Sequence, residues 1–304
     1  MANTHIVTID LNFQNKKQAI ASYLIRQNDA VILIESGPAS TLPTLQTALA
    51  NFGLTLRDIT HVLLTHIHLD HAGAAGQLAQ LGAQIYVHPL GAPHLIRPEK
   101  LIASASRIYG DRMNQLWGEI LPVAQNQIYI PNDAQEFIIG NLKFLPIHTA
   151  GHAEHHYSYL FEDICFCGDV GGVRIPGYPY LRVPMPPPEF HFKKWRESIA
   201  KLKKLNFPKI APTHFGIYDD VDWHLDTLQK NLEATEAWLE KIMPSDPTLE
   251  ILREQFTAWM EQQSREQGLS EEVIQVYTLS NPMGMSADGL LRYWKKYKTE
   301  INLK

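Results

Sequence analysis

The sequence predicts an α/β fold that passes into a helical extension near residue 220. Three observations carry this. Short apolar β-type runs alternate with amphipathic, helix-forming stretches through most of the chain. The run Val62-Leu63-Leu64 leads straight into a polar turn and then a small-residue stretch, as a strand feeding a helix does. Past about Val221 the β-type runs stop and long amphipathic periods take over. A chain of 304 residues has the length for one large domain plus an appendage. We expect a domain at residues 1–220 and a helical appendage at 221–304.

In chain order, Ile6 to Leu11 and Ala19 to Arg26 alternate or run apolar, as strands do. Ala30 to Glu35 reads as a buried strand ending at the turn Ser36-Gly37-Pro38. Thr41-Leu42-Pro43 opens a helix to about Phe52, with proline in its first turn. Leu56 to Ile59 leads into the strand at Val62. A helix is expected over Ala72 to Leu81, then a short strand at Gln84 to Val87. His88 and His94, flanked by Pro89 and Pro93, are expected on a surface loop. Leu101 to Trp117 reads as a helix broken near Gly110. It carries Arg107, Tyr109, Arg112 and Trp117, and is either a substrate lid or a core helix with a solvated basic face. Ile128 to Ile130, Gln135 to Ile139 and Leu142 to His148 read as strands, with Gly140-Asn141 as a hairpin turn. Tyr157 to Phe161 and Ile164 to Phe166 are the next two.

Gly171 to Pro188 holds too much glycine and proline for a helix or a central strand. We expect a rigid loop that places Tyr178, Tyr180 or an arginine over the site where it begins. Phe192 to Leu205 is an amphipathic helix with Trp195, Ile199 and Leu202 on one face. Lys209-Ile210-Ala211 is a short strand. In the extension, Trp223 to Met243, Leu249 to Gln263, Glu271 to Leu279 and Leu290 to Ile301 read as helices, with breaks at Asn281-Pro282 and Gly284. Tyr293, Trp294 and Tyr297 are expected in a core or at an interface, which leaves room for a homodimer.

Composition sets the outer bounds. Hydrophobic residues are 45% and charged residues 19%, ordinary for a soluble globule. A formal net charge of −5 with no long Lys/Arg block argues against generic nucleic-acid binding. No signal peptide and no membrane span is read from the sequence. Cys165 and Cys167 lie two apart on a strand, on one face and too close for an ordinary bridge. They read as reduced core residues, which suits a cytoplasmic location.

The chemistry sits in Thr65-His66-Ile67-His68-Leu69-Asp70-His71. Four ligand-type side chains fall within six residues, at the carboxyl end of a strand, where open α/β sheets place their ligand sites. Imidazole and carboxylate suit zinc, iron or manganese. This run resembles the His-x-His-x-Asp-His signature of the metallo-β-lactamase superfamily. The resemblance continues through His152 in Thr149-Ala150-Gly151-His152, Asp169 in Phe166-Cys167-Gly168-Asp169, and His214 in Pro212-Thr213-His214-Phe215-Gly216.

The resemblance implies a four-layer αβ/βα sandwich and two divalent cations, zinc first and iron or manganese as alternatives. His66, His68 and His152 would bind one; Asp70, His71 and His214 the other; Asp169 would bridge them. Glu35 stands where an aspartate is common in the family, in a supporting position behind the ligands. The zinc β-lactamases place a thiolate at the Asp169 position, and flavodiiron proteins a glutamate at the His68 position. The set in this chain is similar to that of glyoxalase II enzymes, acyl-homoserine lactonases and tRNA-processing nucleases. It implies a dinuclear hydrolase that uses a metal-bridging hydroxide on a small ester, thioester or lactone. Asp70 would handle the hydroxide or leaving-group proton. Arg107, Tyr109, Tyr178 and Tyr180 are the candidate substrate contacts. The other readings are a phosphodiesterase or nuclease of the same fold, and a metal-binding scaffold without turnover.

Overall fold

The computed structural model describes residues 4–298; Met1 to Asn3 and the expected last turn to Ile301 lie outside the described residues. The first sheet places β1 (His5–Asp10), β2 (Ala21–Gln27), β3 (Ala30–Ile34), β4 (His61–Leu63), β5 (Gln84–Tyr86) and β6 (Ile128–Tyr129) side by side in chain order. The second comprises β7 (Phe137–Ile139), β8 (Leu142–His148), β9 (Tyr157–Phe161), β10 (Ile164–Phe166) and β11 (Lys209–Ala211), with β11 beyond β10 at one edge. β1 to β3 pair antiparallel, with a short turn between β2 and β3. β3 to β6 pair parallel, and β11 is parallel to β10. Parallel neighbours need long crossovers. These carry α1 (Leu42–Ala50), α2 (Leu69–Ala72), α3 (Ala75–Gln80), α4 (Ala92–Ile96), α5 (Glu99–Tyr109), α6 (Met113–Trp117) and, before β11, α7 (Phe192–Lys203).

Side-chain alternation along each strand builds the layers. On β3, Val31 and Leu33 join the cluster beneath α1 and α3, with Leu45, Leu49 and Leu78. Ile32 and Ile34 point the other way, into the space between the sheets, where they meet Phe144, Tyr159 and Phe166. On β10, Ile164 and Phe166 face that same space. Cys165 and Cys167 face outward to α7, among Trp195, Ile199 and Leu202. Both cysteines are buried and unbridged. The result is helix, sheet, sheet, helix: the four-layer αβ/βα sandwich.

The tail comprises α8 (Val221–Ile242), α9 (Leu249–Glu266), α10 (Glu271–Ser280) and α11 (Met283–Tyr293). α8, α9 and α11 bury Leu228, Leu232, Phe256, Leu290 and Tyr293 in the cluster that covers the second sheet. α10 instead buries Ile274, Val276 and Tyr277 with the cluster of the first sheet. Thr248 and Ser270 cap α9 and α10, accepting from the N–H groups of Ile251 and Val273.

Two boundaries differ from expectation. The helix placed at Ala72 to Leu81 is two short helices, and the first starts at Leu69, so Asp70 and His71 stand in its opening turn. Gly284 does not break the tail: it lies in the first turn of α11, where a glycine costs only about 1 kcal/mol. The break is at Asn281-Pro282 alone, since proline disfavours a helical residue before it.

Candidate metal centre

Four strand ends deliver the site. The link from β4 into α2 carries Thr65 to His71, the link from β8 to β9 carries His152, the end of β10 carries Asp169, and the end of β11 carries His214. Gly151 makes the turn under His152 at φ +137, and a Cβ there would collide with the Trp195 backbone. Gly151→Ala is therefore expected to destabilise by about 2–4 kcal/mol, from strain plus overpacking. Urea denaturation should read it as a lower midpoint at unchanged slope.

Seven side chains converge. His68 Nδ1 lies 2.9 Å from His66 Nε2 and 2.9 Å from His152 Nε2. On the other side, Asp70 Oδ2 is 3.5 Å from His214 Nε2 and 3.7 Å from His71 Nε2. Asp169 stands between the two groups and divides its oxygens. Oδ2 is 3.2 Å from His152 Nε2, while Oδ1 is 3.2 Å from His71 Nε2 and 3.3 Å from His214 Nε2.

The opposite nitrogens are occupied from behind. His71 Nδ1 meets Glu35 Oε1 at 2.9 Å, His152 Nδ1 the Pro184 carbonyl at 2.9 Å, and His214 Nδ1 the Ala19 carbonyl at 2.6 Å. His66 Nδ1 is 3.1 Å from Thr65 Oγ1. An imidazole held on one nitrogen is aimed with the other. Glu35 is fully buried and also accepts from the Thr65 and Thr213 hydroxyls at 2.5 and 3.0 Å, so it holds the ring behind the cluster as expected.

His71 Nε2, His214 Nε2 and Asp169 Oδ1 are buried with no hydrogen-bond partner. Native proteins rarely leave such atoms orphaned. Three of them facing one another, from imidazoles and a carboxylate, fit a divalent transition-metal cation. For His66 and His68 the charge state fits as well. Burial holds His66 well below the ordinary imidazole range, and His68 down at about 3. Both are thus in the neutral, metal-binding form. Burial opposes charge on His71 and His214, but Asp169 and Asp70 outweigh it, so both are raised, His214 to about 9. Burial would likewise raise Asp169, but His71, His152 and His214 hold it well below the usual carboxylate range.

A family model described as the metallo-beta-lactamase superfamily matches residues 17–214, the segment that carries all seven side chains. The chain belongs to the metallo-beta-lactamase superfamily. A metallo-beta-lactamase fold-containing protein of Sulfurisphaera tokodaii is 27% identical over 199 residues, covering 64% of this chain and 72% of its own. A hydroxyacylglutathione hydrolase of Xylella fastidiosa is 32% identical over 111 residues, only 31% of its length. An atrochrysone carboxyl ACP thioesterase of Aspergillus fumigatus is 24% identical over 213 residues, 39% of its length. Among solved structures, a metallo-beta-lactamase family protein of Thermus thermophilus superposes with a TM-score of 0.65 at 19% identity. That match covers 97% of this chain and 94% of the other, so its likeness includes the tail.

Beside this superfamily centre opens a cavity of about 750 Å³. α5 and α6 form one wall, α10 and the start of α11 another, and Pro184 to Pro188 a third. The broken helix at Leu101 to Trp117 thus covers the site. Of the four expected substrate contacts, only Tyr109 lines the cavity. Arg107 points to solvent from the outer face of α5. Tyr178 packs against the first-sheet cluster. Tyr180 is buried, and the Ser264 and Arg182 side chains hydrogen-bond its hydroxyl. The loop at 171–188 does reach the site, but with its prolines and the Pro184 carbonyl rather than with a tyrosine or arginine. Arg174 is bound to Asp220, and Arg182 to Ser264 and Thr278.

The histidines outside the ligand set divide. Neither His88 nor His94 is on a surface loop: His94 stands in α4 and lines the cavity, and His88 is buried with its ring against His148 and Tyr157. His155 lines the cavity beside His68. His156 is buried behind, bonded to the Thr149 hydroxyl. The walls from α10 and α11 had no sequence signal. Their amphipathic period marks a buried face but not what that face meets.

Proposed function

We propose that this chain is a dinuclear metal-dependent hydrolase acting on a small ester, thioester or lactone. One observation carries the reading: Asp169 divides its two oxygens between two imidazole groups, the arrangement of a carboxylate shared by two cations. His66, His68 and His152 would hold one cation, and Asp70, His71 and His214 the other, with zinc the expected metal. Bound there, such cations supply a Lewis acid and bring the pKa of water towards about 7.

The protein's own groups do the rest. Asp70 is the more accessible carboxylate, its side chain 21% exposed against 5% for Asp169, and it lines the cavity. It is placed to take a proton from the attacking water and return it to the leaving group. Under the expected division, the domain at 1–220 holds the ligands, and residues between Glu261 and Ser286 of the appendage complete the cavity. The names of two relatives, a hydroxyacylglutathione hydrolase and a thioesterase, support a carbonyl substrate. Unbridged, buried Cys165 and Cys167 suit a reducing cytoplasm, and no helix among the described residues is long and apolar enough to cross a membrane.

Elemental analysis of native protein should find about two transition-metal equivalents per chain. A panel of nitrophenyl esters, thioesters, lactones and phosphodiesters should give turnover on the carbonyl compounds. Metal-free native protein would overturn the reading. Cleavage confined to phosphodiesters would replace it with the nuclease reading.

A further inference from the structure

We propose that the cavity is an acyl slot, built for esters or thioesters whose acyl group is a medium or long apolar chain. This rests on the hydrolase reading above and names its substrate class.

The apolar surface is continuous from the metal residues outward. Ile67 and Leu69, the two spacers within the ligand run, are buried and line the cavity. On α5, Leu101, Ala105, Ile108 and Tyr109 recur at helical spacing along one face, and all four line it. Across from them stand Ile274, Leu279 and Met285. The two walls meet where the Tyr109 hydroxyl lies 4.0 Å from Met285 Sδ. At the open end Ile108 is 49% exposed, so the apolar surface runs on to the mouth.

Polar side chains also line the walls: Lys100, Ser104, Arg112 and Gln275 are exposed, and several of the others are used by the protein itself. The Ser280 hydroxyl donates to the carbonyl of Ala19. Asn281 donates to the Val183 carbonyl and accepts from Ser286, whose hydroxyl accepts from the Met185 N–H. Thr278 donates to the Ile274 carbonyl and accepts from Arg182. Glu261 and Glu271 are both paired with Arg265. A sugar or a polar peptide entering here would lose its hydration and find these groups already engaged, at a penalty for each unmatched polar atom. An alkyl chain gains from every methylene it buries.

The test uses the metal-loaded full chain with nitrophenyl acetate, hexanoate, decanoate and myristate. We expect kcat/KM to rise about three- to fourfold for each methylene added until the slot is full. Ile108→Asp, at an exposed position, should cut the decanoate-to-acetate ratio of kcat/KM at least about tenfold. Gln275→Trp, also exposed at the mouth, should shift the preference towards shorter chains. A second readout needs no turnover: calorimetry of chelator-treated protein should detect decanoate binding and no acetate binding. Flat dependence on chain length, with decanoate unbound, overturns the slot and leaves the hydrolase reading standing. Decanoate binding with no ester or thioester hydrolysed removes the hydrolase reading and leaves the slot.

Discussion

Asp169→Ala should lose at least one of the two cations per chain and lower kcat/KM for the best ester substrate by about 10²–10³-fold. The reasoning is geometric. Among the described residues, Asp169 is the carboxylate that pairs with both imidazole groups, through Oδ2 to His152 and through Oδ1 to His71 and His214. Its removal leaves each group three ligands at most. It also takes away the negative charge that lets two cations sit close together, which five imidazoles cannot supply. The side chain is only 5% exposed and its Oδ1 makes no hydrogen bond, so what the substitution chiefly removes is the negative charge that faces three imidazoles. Asp169→Asn keeps the shape and loses the charge. It should retain more metal than the alanine variant while remaining slow. Elemental analysis and steady-state kinetics on both variants check this, and unchanged metal content with unchanged rate would end the bridging assignment.

The ligand run was legible because it is local: His66, His68, Asp70 and His71 sit in one turn, and their residue types alone suggest a cation. His152, Asp169 and His214 were legible through the order of the superfamily's motifs. The layers followed from the alternating αβ units and the superfamily resemblance, and period-two alternation put Cys165 and Cys167 on one face, which the structure shows to be the outward one. What stayed hidden was set by distant partners. Tyr180 looks free in a Pro-rich loop, yet its hydroxyl is held by Ser264, 84 residues on, and its carbonyl by Tyr277, 97 residues on. His88 looks like a loop histidine until β8 and β9 bring His148 and Tyr157 over it. The cavity's second wall depends on the tail folding back, with Gly289 of α11 leaving room for the Met185 backbone.

Glu35→Gln tests how the cluster is aimed. Glu35 follows directly on β3 at φ +68, fully buried. Its Oε1 accepts from Thr65, Thr213 and His71, and its Oε2 from the Thr65 N–H at 3.2 Å. Glutamine can keep the oxygen at the first position. Its amide nitrogen then faces the Thr65 N–H, donor against donor, and the negative charge behind His71 is gone. Supporting carboxylates of this kind are worth about 10–100-fold in metal affinity when removed, and a buried unmatched donor costs about 1–3 kcal/mol. We expect cation affinity to fall by that factor, seen by chelator competition, together with a lower unfolding midpoint. kcat at saturating metal should change much less, because Glu35 touches no cavity atom. That split separates a group that aims a ligand from one that reacts. His71 is also anchored through its carbonyl, which accepts from the N–H groups of Ser36 and Gly37. If E35Q bound cations as tightly as the parent, that backbone anchor alone would be aiming Nε2, and the carboxylate would serve only the Thr65 and Thr213 hydroxyls.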